Sequence, residues 1–193
     1  MIESWKIPQP GKKKKSSARS FRLFRLTTTV VAATVKPPLE DALAFDAPEV
    51  CLRFAREKAL SEQDVAYLFN ETKRWLWACA CRVRDEQAGL PVPAELLISP
   101  ELTAIDELWH CFILFTEEYE RFCRERLGVF IHHRPIKAAE LARFEELRRT
   151  DPKRALAERQ AQLKPQLEYL YDLLGPDVLR DWYQRLPAGF GAS

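Results

Sequence analysis

From Ser61 onward the chain spells out one long amphipathic helix. Val65, Leu68, Phe69, Thr72, Leu76, Cys79, Ala80 and Val83 recur at helical intervals, the spacing that lines one face of a 3.6-residue turn. Ser61-Glu-Gln-Asp64 opens it as a variant capping box, with Asp64 where Glu or Gln is usual. Trp75 and Trp77 flank the apolar face and read as core aromatics. A face of this length must be buried against other elements, and the rest of the body supplies helices rather than strands.

Asp46-Ala-Pro48 reads as an N-cap with an early proline, starting a helix that runs to about Leu60. Residues 84–100 hold Pro91, Pro93 and Pro100 and are expected to loop; Ser99-Pro100-Glu101 then starts another helix. Ala138–Leu147 is helical by pattern. Asp151-Pro152 caps the next helix, which Pro165 should kink or end. Leu167–Leu174 stops at Gly175-Pro176, and a last short helix spans about Asp177–Leu186. Only Val129–Ile131 suggests an extended stretch. The expected fold is all-α, a single compact bundle of six or seven helices, one pair of them a hairpin described below.

The 193 residues are 47% hydrophobic and 30% charged, which excludes wholesale disorder and fits one globular domain with a tail. Residues 1–36 carry nine Lys/Arg and one acid, Glu3, whereas residues 37–193 carry 21 bases and 27 acids. The domain, 37–193, is mildly acidic, and its net charge does not suggest nucleic-acid binding. The tail, 1–36, reads as a solvated, disordered segment. Its interleaved Arg and Phe at Arg19–Leu26 would also suit a surface arm on anionic lipid or nucleic acid, or a transit peptide. Arg22 and Arg25 interrupt what a secretory signal would keep apolar. No apolar run approaches the ~18–20 residues of a membrane span.

Cys51, Cys79, Cys81, Cys111 and Cys123 are odd in number and irregular in spacing. They read as thiols in a reducing compartment, not as a disulfide framework. The expected location is the cytoplasm, or an organelle if the tail is a transit peptide. Cys79 and Cys81 would point ~200° apart on a helix and make no metal pair.

All three histidines lie between 110 and 133. Asp106 and His110 are four apart, on one side of a helix and along the edge of an apolar stripe of Leu102, Ile105, Trp109, Phe112 and Ile113. A carboxylate and an imidazole at a core margin must be paired, hydrogen-bonded or ligating. Loss of His110 should then cost roughly 1–3 kcal/mol. On one straight helix Cys123 would lie roughly 20 Å along the axis from His110, so a shared site requires the chain to fold back. Thr116-Glu117-Glu118 reads as a second N-cap, giving an αα-hairpin broken within residues 114–118. Gly128 would end its second helix, and His132 or His133 could return to the same end. Asp106, His110, Cys123 and one of those histidines make an O/N/S/N set suited to Zn²⁺.

The pattern Asp106-x-x-Trp109-His110…Tyr119…Phe122-Cys123…Gly128…His133 resembles the glycine-rich domain-containing protein-like family, a widespread domain of largely unknown function. Phe69-Asn-Glu-Thr-Lys73-Arg74-Trp75-Leu76 resembles the aromatic Tyr-Lys-Arg-Phe-Leu element that precedes this motif. The resemblance covers about residues 45–135. It implies that His133, rather than His132, belongs with the site. Plant members often read Trp-His-Thr-His, where this chain has Phe112, and often carry Pro where it has Thr116, in keeping with a helix break. The chain lacks the glycine-rich part, and the resemblance names no reaction.

Three readings follow. One is a binding or scaffold domain in which Asp106, His110, Tyr119, Cys123 and His133 form a hydrogen-bonded lock without metal. The second is a structural or regulatory zinc site. The third is a metal-dependent enzyme, in which Asp106, His110 and His133 hold Fe or Zn and leave positions open to an unidentified small substrate. The sequence leans toward a non-enzymatic role with a protein partner. Glu71, near the apolar face of its helix, is an outlying carboxylate of interest.

Overall fold

The computed structural model describes residues 35–190, so the tail reading falls almost wholly outside the described residues. Every regular element among them is helical. They are α1 (Leu39–Leu43), α2 (Pro48–Lys58), α3 (Glu62–Gln87), α4 (Thr103–Leu114), α5 (Thr116–Phe122), α6 (Ala138–Thr150), α7 (Pro152–Leu174), α8 (Pro176–Arg180) and α9 (Leu186–Phe190). A 3₁₀ turn at Pro100–Leu102 leads into α4, and wide π turns at Cys123–Leu127 and Asp181–Arg185 follow α5 and α8. The all-α expectation holds. The additional elements are α1 and the division of the last helix by its π turn. Val129–Ile131 pairs with nothing as a strand. No helix among the described residues is long and apolar enough to cross a membrane.

The long helix α3 is the axis of the body, packed by α1, α2 and α4. Ser61 caps it as expected, its Oγ accepting from the Asp64 amide at 3.1 Å. The capping box is not reciprocal, since the Ser61 hydroxyl donates to the Asp64 carboxylate instead. Leu68, Phe69, Trp75, Leu76 and Trp77 are buried, so the two tryptophans are core residues. The helix runs to Gln87, past the loop start expected at residue 84. Arg82, near that end of the helix, donates to the carbonyls of Pro93 and Ala94 and so fastens the following loop to it.

Polar residues inside this core serve as ties between elements. Lys73 donates to the carbonyls of Leu43 and Phe45, closing the end of α1. Burial pushes its ammonium pKa down. Asp85 accepts from Lys36 and from the Tyr169 hydroxyl. Gln166 grips the backbone of Leu97 through both ends of its amide. That grip and the burial of Leu170 fasten α7 beyond Pro165, which sits inside the helix and does not end it. Trp182 packs on Trp75 with ring centroids 5.6 Å apart. Its indole donates to Glu71 at 2.7 Å, and Arg74 pairs with the same carboxylate. Glu71 is therefore an anchor for the C-terminal helices. By contrast α6 packs on α7 and buries none of its own residues.

Candidate metal centre

Helix α4 turns Ala104, Ile105, Leu108, Trp109, Cys111 and Phe112 inward. Asp106 and His110 stand one turn apart along the margin of that face. The Asp106 side chain is 27% exposed and that of His110 55%. His110 is thus more open than its sequence position suggested. Leu114, four residues on and also exposed, shows that this side of the helix faces outward. The expected cost of orphaning a buried His110 partner no longer applies.

The chain then breaks as expected. Phe115 has φ −90° and ψ 69°, which ends α4, and α5 begins at Thr116. The N-cap is Phe115 rather than Thr116, and no side chain caps it. Acidic Glu117 and Glu118 still occupy the first turn, where the helix dipole favours them. The π turn then carries the chain to Gly128, whose left-handed φ of 66° ends the helical run. An added Cβ there would stand 2.5 Å from Nη2 of Arg84, which bonds the carbonyl of Gly128 at 3.2 Å. The left-handed conformation is what favours glycine here, while the guanidinium of Arg84, at the end of a flexible side chain, would have to shift to admit a Cβ.

Residues 129–137 form an irregular strap back across α4. It delivers His133 to Asp106, with Nε2 and Oδ1 2.9 Å apart. His110 Nδ1 lies 3.8 Å from the other carboxylate oxygen, and the two imidazole rings are 4.3 Å apart. One ligand-type atom from each of Asp106, His110 and His133 lies within 4.8 Å of the others. His132 is exposed and rests on Phe130 instead. Of the two adjacent histidines, His133 is the one beside Asp106.

Cys123 does not join this group. It is buried at the start of the π turn, against the Tyr119 hydroxyl and the Ile131 backbone. Burial pushes its thiol pKa up, against the opposing pull of those hydrogen bonds. Above it, the Trp109 indole donates to Tyr119 Oη at 3.0 Å, and that hydroxyl donates to the carbonyl of Ile131. The five residues read together in the sequence therefore form two layers. Asp106, His110 and His133 make a partly open outer layer, and Tyr119 and Cys123 a buried inner one. Trp109 joins them, its ring 4.5 Å from that of His133. Phe112, at the place of the second histidine in plant sequences, packs inside against Phe45, Phe69, Tyr119 and Phe122. The inner acceptor, a backbone carbonyl, carries no side-chain signal by which sequence reading could find it.

The donor set suits a borderline transition metal. Two imidazoles and a carboxylate bind zinc or iron(II), whereas calcium and magnesium favour all-oxygen sites. Ligand atoms around zinc bonded at ~2.0–2.1 Å stand roughly 3.3 Å apart in a tetrahedron. The His133–Asp106 separation of 2.9 Å is already shorter than that value, whereas the 3.8 Å approach of His110 is to the other carboxylate oxygen. The spread of 4.8 Å needs a contraction that the exposed His110 can supply by rotating.

A family model described as UCP032817-like matches residues 52–156, more than half of the chain. The match runs from α2 into the first turn of α7 and contains Asp106, His110, Tyr119, Cys123 and His133. Its description names no activity. No curated protein and no solved structure matches the chain. The protein belongs to the UCP032817-like family.

Proposed function

We propose that this protein binds one transition-metal ion, zinc in the first instance, through Asp106, His110 and His133, leaving a coordination position open. The observation that carries this reading is the convergence of those three side chains, from α4 and from the strap, within 4.8 Å. Closed structural zinc sites present four protein ligands, while sites that bind a further ligand present three. Three ligands, with one imidazole half exposed, favour the second type. The metal would supply Lewis acidity at the open position. The chain's own part is to hold two imidazoles and a carboxylate on one side of it. Iron(II) is the alternative ion, because the same donor set serves it. Binding of a ligand or protein partner at the open position is the primary role, and turnover of a small substrate there is the enzymatic alternative.

The likeness to the glycine-rich domain-containing protein-like family enters the same reading, since the Asp, first His and last His of that motif are the three proposed ligands. The five cysteines are all free thiols, which favours a reducing, cytoplasmic setting.

The test is metal content by mass spectrometry of untagged protein purified without added metal, followed by zinc titration of the metal-free form. About one equivalent is expected, lost in His110→Ala and in His133→Ala. A wild-type protein that carries no metal and takes up no zinc on titration overturns the reading. Iron in place of zinc, in protein purified without oxygen, would favour the alternative ion.

A further inference from the structure

The geometry points to Tyr119 as the positioning residue of the metal centre: its hydroxyl, held by Trp109 and holding the Ile131 carbonyl, sets where His133 stands. This rests on the metal reading above.

Three observations support it. First, His133 belongs to a strap without regular secondary structure over residues 130–137, so its backbone gains no position from a helix or sheet ladder. Second, the Tyr119 hydroxyl ties that strap down two residues before His133. It donates to the Ile131 carbonyl and accepts from the Trp109 indole, which α4 carries between Asp106 and His110. One buried oxygen thereby links the strap to the helix that bears the other two ligands. Third, the tyrosine itself has little freedom. It is 2% exposed, and its ring stands edge-on between Phe112 and Phe130, at 5.2 and 5.3 Å. Trp109 also packs against the His133 ring, so the bracket touches both the backbone and the imidazole.

Residues behind a ligand commonly govern affinity by fixing its orientation. Here Tyr119→Phe would keep the packing and remove the oxygen. The Ile131 carbonyl and the Trp109 N–H would lose their partner, and the strap could carry His133 away from Asp106.

The experiment is a Co²⁺ titration of the full chain followed by visible absorption, which reads ligand number and geometry as well as affinity. The variants are Tyr119→Phe, Trp109→Phe, His133→Ala and Tyr169→Phe. The last removes another tyrosine hydroxyl, bonded to Asp85 at 2.8 Å, and controls for lost stability alone. Tyr119→Phe is expected to weaken Co²⁺ binding about 10–100-fold and to shift the spectrum toward that of His133→Ala. Tyr169→Phe should keep the wild-type affinity and spectrum. Wild-type affinity and spectrum in Tyr119→Phe overturn the inference, as does an equal loss in Tyr169→Phe. If Tyr119→Phe does not fold, Trp109→Phe, which removes the donor and keeps a ring beside His133, decides by the same criteria. A wild-type protein that binds no Co²⁺ overturns the metal reading itself, and this inference with it.

Discussion

Trp109 is buried for its bulk, yet its two ends do different things. The indole N–H holds Tyr119, and the ring packs against His133. The contrast between Glu71 and His110 makes the same point in energetic terms. Glu71 was noticed in the sequence for its place near an apolar face, and it accepts from a fully buried tryptophan. Glu71→Ala should orphan that indole N–H and destabilise the fold by about 1–3 kcal/mol. Glu71→Gln, which keeps an acceptor, should cost less. His110→Ala should change the stability of metal-free protein by no more than about 0.5 kcal/mol, as exposed positions do. Denaturant melts of the three variants check this, and a His110→Ala loss as large as that of Glu71→Ala would contradict the exposed placement. Asp106 and His110 were legible together because a four-residue spacing fixes a helical face, whereas His133 entered through the family resemblance, since the strap that carries it has no periodicity to read. Sequence reading grouped Cys123 with them because spacing along the chain does not say which side of α5 faces the core.

At the scale of elements, the break between α4 and α5 was legible because Thr116-Glu117-Glu118 favours a helix start. The cap itself was not, since Phe115 serves by backbone conformation alone. The π turn was invisible in the sequence. Nothing in Cys123–Leu127 differs in type from an ordinary helical turn. Gly128 was legible as a stop and has a sharper role than that. Gly128→Ala would force a Cβ into the left-handed region and against Arg84, at about 1–2 kcal/mol. For a chain of this size that is a fall in melting temperature of roughly 2–8 °C. An unchanged midpoint would mean that the strap leaves α5 by some other path than the one described.

For the whole molecule, burial sets the response to alkali. Among the described residues, Cys51, Cys79, Cys81, Cys111 and Cys123 all have raised thiol pKa values, Cys79 and Cys81 to about 12. Tyr67, Tyr119, Tyr169 and Tyr183 are raised as well. Desolvation is the leading cause in every case. The unfolded chain therefore releases protons from about pH 9 that the folded chain keeps, and stability falls as pH rises through 9–10. Lys73, whose pKa is lowered, acts in the opposite direction but is a single group. Thermal midpoints measured between pH 7 and 10.5 should decline above about pH 9, and a flat or rising profile would contradict this burial pattern. The helical class was legible from periodicity alone. The long-range ties were not, because Asp85 with Tyr169 and Gln166 with Leu97 pair residues far apart in the chain.

The tie between Trp182 and Glu71 bears on modularity. The stretch matched by the family model ends at Leu156. A chain cut there would keep all three proposed ligands and the bracket behind them. It would lose Trp182 from the face of Trp75 and from the carboxylate of Glu71, and Gln166 from the backbone of Leu97. The Trp75 ring and the carboxylate of Glu71 would then meet water. In this chain the matched stretch is thus shorter than the core it belongs to, and the C-terminal helices wall that core through Trp182 and Gln166 rather than hanging from it as an appendage.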